Sequence, residues 1–191
     1  MQLATLYTRA LTGIDANLVT VEVHISNGLP AFSIVGLPEA AVRESKYRVR
    51  AALINSNFEF PARKITVNLA PADLPKDGGR YDLPIALGVL AATGQIDASQ
   101  LGDYEFHGEL ALSGALREVS GSLPVAIAAQ KDDKKLIMPS QSAKQAALIE
   151  KADVFAADSL LSACQHLQGL SQLQHATADI GHHPSIDIPC M

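Results

Sequence analysis

Val67-Asn68-Leu69-Ala70-Pro71-Ala72-Asp73-Leu74-Pro75-Lys76-Asp77-Gly78-Gly79-Arg80-Tyr81-Asp82-Leu83-Pro84-Ile85-Ala86-Leu87 decides how the chain is read. Ile65, Val67 and Leu69 alternate with Thr66 and Asn68, the period-2 pattern of a strand with one buried face. From Ala70 to Tyr81 two prolines and two glycines impose a loop. Asp82 then stands where it could cap a helix running from Leu83 to about Ala92, with Gly94 just past its end.

Upstream, Val19, Val21, Val23 and Ile25 alternate with Thr20, Glu22, His24 and Ser26 and predict a second strand. Asn27 to Pro30 turn the chain into a third, Ala31 to Val35. Pro38 and Glu39 suit the start of a helix reaching roughly Ser56. Val42, Val49 and Leu53 share one of its faces, and Glu44 and Arg48 are spaced for an ion pair on another.

Downstream, Tyr104–Leu112 and Ala115–Val119 read as a hairpin turning at Ser113 and Gly114. A helix from about Ser122 to Gln130 follows. Short apolar strands at Leu136–Met138 and Val154–Ala156 each precede a helix, Ser140–Lys151 and Ser159–Gln168, an order that favours parallel pairing. The fold class is therefore α/β (α+β), a mixed sheet with flanking helices. One domain spans 1–168, and 169–191, rich in Gln, His, Ser and Pro, reads as a linker or tail.

With 48% hydrophobic and 18% charged residues in 191, the chain can build a core without disulfides or metal. A formal net charge of -5 disfavours a free-standing nucleic-acid-binding module and confines any such contact to a local basic patch. Cys164 and Cys190 are far apart, which fits a reducing, cytoplasmic setting. Met1–Ala10 alternates apolar residues with Thr, Tyr and Arg and so lacks the apolar run of a secretory leader. No window approaches about 18 consecutive apolar residues, so no membrane partner is expected.

The stretch quoted first resembles the signature of the ComM/YifB family. So do Val21–Ser26, Gly28-Leu29-Pro30, Val35-Gly36-Leu37-Pro38-Glu39 and Gly108–Gly114, and the resemblance covers about Gln2 to Gln168. It implies an N-terminal domain with a Lon-protease-like fold, related to domain 2 of ribosomal proteins, followed by a Mg-chelatase-type AAA+ ATPase module. Lon-type proteases carry Pro-Lys-Asp-Gly-x-Ser-Ala-Gly with a downstream lysine as base. Pro75-Lys76-Asp77-Gly78 matches, the nucleophile position falls on Arg80, and the base position falls on Leu123. A guanidinium does not act as the attacking group, and Leu123 accepts no proton. The resemblance thus implies a pseudo-protease and no enzyme in this chain.

No G-x-x-x-x-G-K-[ST] loop is present, so the chain is expected to hold no cofactor. ATP and Mg2+ belong to the module expected beyond Met191. The family further implies a hexamer whose neighbouring subunits contact this domain, and DNA as partner of a helicase that drives branch migration in natural transformation.

Two kinds of contact stay open. Lys76 and Arg80 in the loop either serve the fold or offer charge to a neighbouring subunit or nucleic acid. Arg43, Lys46 and Arg50 form a basic stripe with Arg63 and Lys64 nearby in sequence, either a DNA-facing patch or a solvated helix face. No interleaved aromatic platform for stacking on single strands appears, which weakens the DNA reading. A divergent peptidase using Ser120 or Ser122 requires casein turnover lost on mutation of either serine. A magnesium-chelatase component requires saturable porphyrin binding. Metal ligation by Cys164 with His166, or by His182, His183 and Cys190, lacks a matching four-ligand frame. His24 and the Glu105/Glu109 pair read as surface groups of strands.

Overall fold

A computed structural model describes residues 2–178. β1 (Leu3–Thr12) and β2 (Asp15–Ser26) form a long antiparallel hairpin, with β3 at Ala31–Val35. Two short helices follow, α1 (Ala40–Arg43) and α2 (Ser45–Asn55), then β4 (Lys64–Ala70) and α3 (Asp82–Ala92). A 3-10 turn leads to β5 (Tyr104–Phe106), β6 (Glu109–Leu110) and β7 (Leu116–Arg117). The remainder is α4 (Ser122–Lys131), β8 (Lys135–Pro139), α5 (Ser140–Ala146), β9 (Val154–Ala157), α6 (Leu160–Leu167) and β10 (Gln174–His175).

The first sheet has the order β1-β2-β4-β3, antiparallel except for the β3–β4 pair. Val19, Val21, Val23 and Ile25, with Ile65, Val67 and Leu69, are fully buried on one face, as their alternation predicts. His24 lies on the exposed face. The second sheet, β10-β9-β8-β5, is parallel apart from its β10 edge, and β6 with β7 makes a separate ribbon.

α3 carries the main core. All eleven of its residues are buried, and it packs on β1 and β2. Close approach requires Gly88, where a Cβ would meet Val23 Cγ2 at 2.5 Å. Leu83, Ile85, Leu87 and Leu90 are fully buried, and truncating any one to Ala costs about 2–5 kcal/mol. A smaller core joins α4 and α5 to β8 and β9 through Val125, Ala129, Met138 and Ala146.

Several expectations need correction. β1 was visible in the sequence only as an alternation of apolar residues with Thr, Tyr and Arg, and it buries the polar Thr8 and Arg9. β2 begins four residues before the apolar alternation. The helix expected as continuous from 39 to 56 breaks at Glu44 into α1 and α2. Tyr104–Phe106 does not join a hairpin but pairs in parallel with β8, leaving two residues per strand to the β6–β7 ribbon. The expected tail begins as docked structure: β10 pairs with β9, and the Leu173 N–H donates to His166 Nδ1 at 3.0 Å. Among the described residues no helix is long and apolar enough to cross a membrane.

Candidate functional site

The loop between β4 and α3 is strapped down from inside. Lys76 is fully buried, and its Nζ donates to the carbonyls of Gly36, at 2.5 Å, and Pro71. Its backbone N–H donates to Leu37 O at 3.3 Å, and its carbonyl accepts from Glu39 N at 2.9 Å. Burial lowers the ammonium pKa from its usual value.

Arg80 is 6% exposed, and its Nη2 donates to the Ser120 carbonyl at 2.8 Å and to Ser120 Oγ at 3.4 Å. Burial lowers its pKa as well, and among the described residues Nη1 has no hydrogen-bond partner. Of the two uses left open for this pair, the bonds of both side chains to the chain's own carbonyls fit service to the fold.

Arg80 and Ser120 line a cleft of about 500 Å³ with Leu74, Asp77, Glu39 and the end of β1. Leu123, to which the resemblance assigns the base position, is 42% exposed in the first turn of α4 and is not among the cleft-lining residues. Ser120 meets a guanidinium rather than a general base. Ser122 is buried, and its hydroxyl has no hydrogen-bond partner among the described residues. Among the described residues neither serine has the activating neighbour that nucleophilic catalysis needs.

Asp82 does not cap α3. As its first residue it turns inward, and Ser45 Oγ donates to it at 2.5 Å, Arg48 Nε at 2.6 Å and the Leu110 N–H at 3.0 Å. Burial raises the carboxyl pKa, opposed by these bonds. The clamp ties α2 to the start of α3, and the expected Glu44–Arg48 pair persists only at 3.8 Å beside it.

α2 carries the basic stripe, and the structure reorganises it. Lys46 and Arg50 line a groove of about 530 Å³ together with Tyr47, Phe32, Phe60 and Arg63. Arg43 and Lys64 are exposed but are not among its lining residues. Phe32 and Phe60 stack with centroids 5.9 Å apart, and Arg50 Cζ sits 5.0 Å from the Phe60 centroid. Lys46 Nζ is 5.1 Å from the ring centre of Tyr47, which is 65% exposed. Tyr47 belongs to the stripe itself, and the fold brings Phe32 and Phe60 to it from two other segments.

Glu105 and Glu109 are on different strands and form no pair. Glu105 is fully buried and accepts from Arg9 Nη2 at 2.6 Å, while Arg9 also reaches Asp132 at 2.5 Å. Burial alone drives the Glu105 carboxyl up, but bonds from His107 and Arg9 outweigh it and hold the pKa below the usual value. Cys164 is buried, its thiol pushed up to about 12 by desolvation. Both His166 nitrogens are engaged, Nε2 with Tyr104 Oη at 3.0 Å and Nδ1 with Leu173 N. Among the described residues no cluster could hold a metal ion. His182, His183 and Cys190 lie outside those residues.

The α/β architecture and this loop define a class: residues 21–142 match the family described as Subunit ChlI of Mg-chelatase. Competence protein ComM of Haemophilus influenzae is 54% identical over 177 residues, 93% of this chain and 35% of that protein. YifB of Escherichia coli, an uncharacterized protein, is 51% identical over 174 residues, 91% of this chain and 34% of its own length. An uncharacterized Mycobacterium tuberculosis protein is 38% identical over 155 residues, 81% of this chain and 31% of that protein. The chain belongs to the ComM/YifB family of Mg-chelatase-like proteins, and spans about a third of the length of these relatives.

Proposed function

We propose that this chain is the non-catalytic N-terminal module of a ComM-type hexameric AAA+ ATPase, a cytoplasmic DNA helicase that promotes branch migration in natural transformation. The module serves subunit packing or DNA guidance, while ATP and Mg2+ act in the ATPase module. The observation that carries the non-catalytic part is Arg80: it stands at the nucleophile position with its guanidinium tied to the Ser120 carbonyl. Similarity to competence protein ComM supports the wider role.

The test uses the longer protein that contains this chain. Expected are ATP-dependent strand exchange on a branched DNA substrate and no turnover of fluorescent casein. Casein hydrolysis abolished by Ser120→Ala or Ser122→Ala overturns the non-catalytic assignment. Absence of any ATP-dependent action on branched DNA overturns the motor assignment.

A further inference from the structure

The groove beside α2 combines two chemistries. Lys46, Arg50 and Arg63 supply three cations, and no carboxylate is among its lining residues, although the chain as a whole has net charge -5. Among the described residues none of the three forms an ion pair. Arg63 Nη2 donates to neutral groups, Asn27 Oδ1 at 3.1 Å and the Gln2 side-chain amide oxygen at 3.2 Å. Such a concentration of unneutralised positive charge selects an anion.

The second chemistry is planar. Tyr47 presents a ring that is 65% exposed, and the stacked Phe32–Phe60 pair backs the Arg50 guanidinium. Aromatic rings and arginine planes stack on any nucleobase whose face is free, at about 1–3 kcal/mol per base. A duplex hides those faces between its own base pairs and needs the cations alone. An acidic peptide likewise uses the cations and leaves the ring of Tyr47 without a counterpart. A volume of about 530 Å³ lies within the span of sites that hold small ligands and accommodates a base with its sugar.

We propose that this groove binds single-stranded DNA, stacking an unpaired base on Tyr47 and the Phe60-backed Arg50 while Lys46 and Arg63 take flanking phosphates. The assignment rests on the DNA-guiding role proposed above and names the form of DNA and the surface that holds it. It replaces the stripe Arg43, Lys46 and Arg50 by a site in which Arg43 has no part.

Fluorescence anisotropy of the 191-residue chain with a labelled oligo-dT of about 12 nucleotides, a length typical of single-strand sites, tests it. Tyr47→Ala is expected to weaken binding about tenfold. Lys46→Gln with Arg63→Gln is expected to weaken it and to flatten the log-log salt dependence by about 0.7 per cation removed. Circular dichroism melts of each variant verify that the fold is intact.

No binding by the unmodified chain, or binding indifferent to Tyr47→Ala, overturns the proposal. So does equal affinity for a duplex of the same length, tighter binding of oligo-U, or displacement by poly-glutamate as readily as by unlabelled oligo-dT. The branched-DNA assay on the longer protein separates the two levels. Strand exchange that persists while oligo-dT binding fails removes the groove and leaves the motor assignment standing.

Discussion

The cleft at Arg80 and the groove at Tyr47 are of similar volume, about 500 and 530 Å³, yet they treat positive charge in opposite ways. In the loop bordering the cleft, Lys76 and Arg80 are withdrawn from solvent and donate to backbone carbonyls of the chain itself. In the groove, Lys46, Arg50 and Arg63 keep their charge beside exposed or half-buried aromatic rings, with no acid among the lining residues. A basic residue in a glycine-rich loop and a basic residue on a helix look alike in sequence. What separates them is whether the fold itself provides acceptors. The difference is that the signature loop's cations are bonded to the chain's own carbonyls, whereas the groove's cations have no ion-pair partner among the described residues.

The two regions are joined by Asp82, so the comparison breaks most severely there. Its carboxylate is fully buried and holds Ser45, Arg48 and the Leu110 N–H, linking the groove's helix to the helix that follows the loop. Asp82→Ala strands a mostly buried guanidinium and an amide, and is expected to cost about 3–5 kcal/mol. Urea unfolding at neutral pH measures it. A loss below about 1 kcal/mol, the size of an exposed ion pair, shows that Asp82 is not the clamp described.

That clamp also shows where the sequence stopped being legible. Alternation in β2 and β4 and the apolar run of α3 announced themselves because burial follows the local period. The role of Asp82 did not, since an acid before an apolar helix ordinarily caps it and its partners Ser45 and Arg48 lie far upstream. The aromatic face of the groove was only partly legible: Tyr47 sits between Lys46 and Arg50 along the chain, whereas Phe32 and Phe60 join it in space from separate segments. β10 escaped notice because Gln174 and His175 carry no apolar pattern and are placed by backbone pairing with β9. The family signature, by contrast, was readable at once, while the inward turn of Lys76 and Arg80 depended on carbonyls from Gly36, Pro71 and Ser120 that no local rule supplies.

A second, smaller effect tests how the interior treats charge. His107 is fully buried, and burial lowers its pKa from 6.5, against a 3.4 Å contact with Glu105 that raises it. The unfolded chain therefore binds a proton below pH 6.5 that the folded chain refuses, so stability falls as pH drops below about 6.5. The slope due to this proton is at most about 1.4 kcal/mol per pH unit. Glu105, held below its ordinary 4.5, adds a further loss in more acid solution. His107→Gln is expected to flatten the upper part of this dependence in urea midpoints taken from pH 7.5 to about 5.5, with His166, also lowered by burial, retaining a share. An unchanged slope places the proton elsewhere.

The smallest expected effect is the sharpest test of the contrast. If the groove's cations and rings exist to meet a ligand, removing them takes little from the fold. Tyr47 is 65% exposed, and Lys46 and Arg63 satisfy no buried acid. Tyr47→Ala, Lys46→Gln and Arg63→Gln should therefore each shift unfolding stability by less than about 0.5 kcal/mol, as surface substitutions do. Arg50→Gln loses the contact with Phe60 and is expected to cost a little more, about 0.5–1 kcal/mol. Losses of several kcal/mol from the first three, measured by the same urea titration, mean that the groove is held together by its charges and rings. It would then resemble the cleft, and the division between an inward-facing loop and an outward-facing helix would disappear.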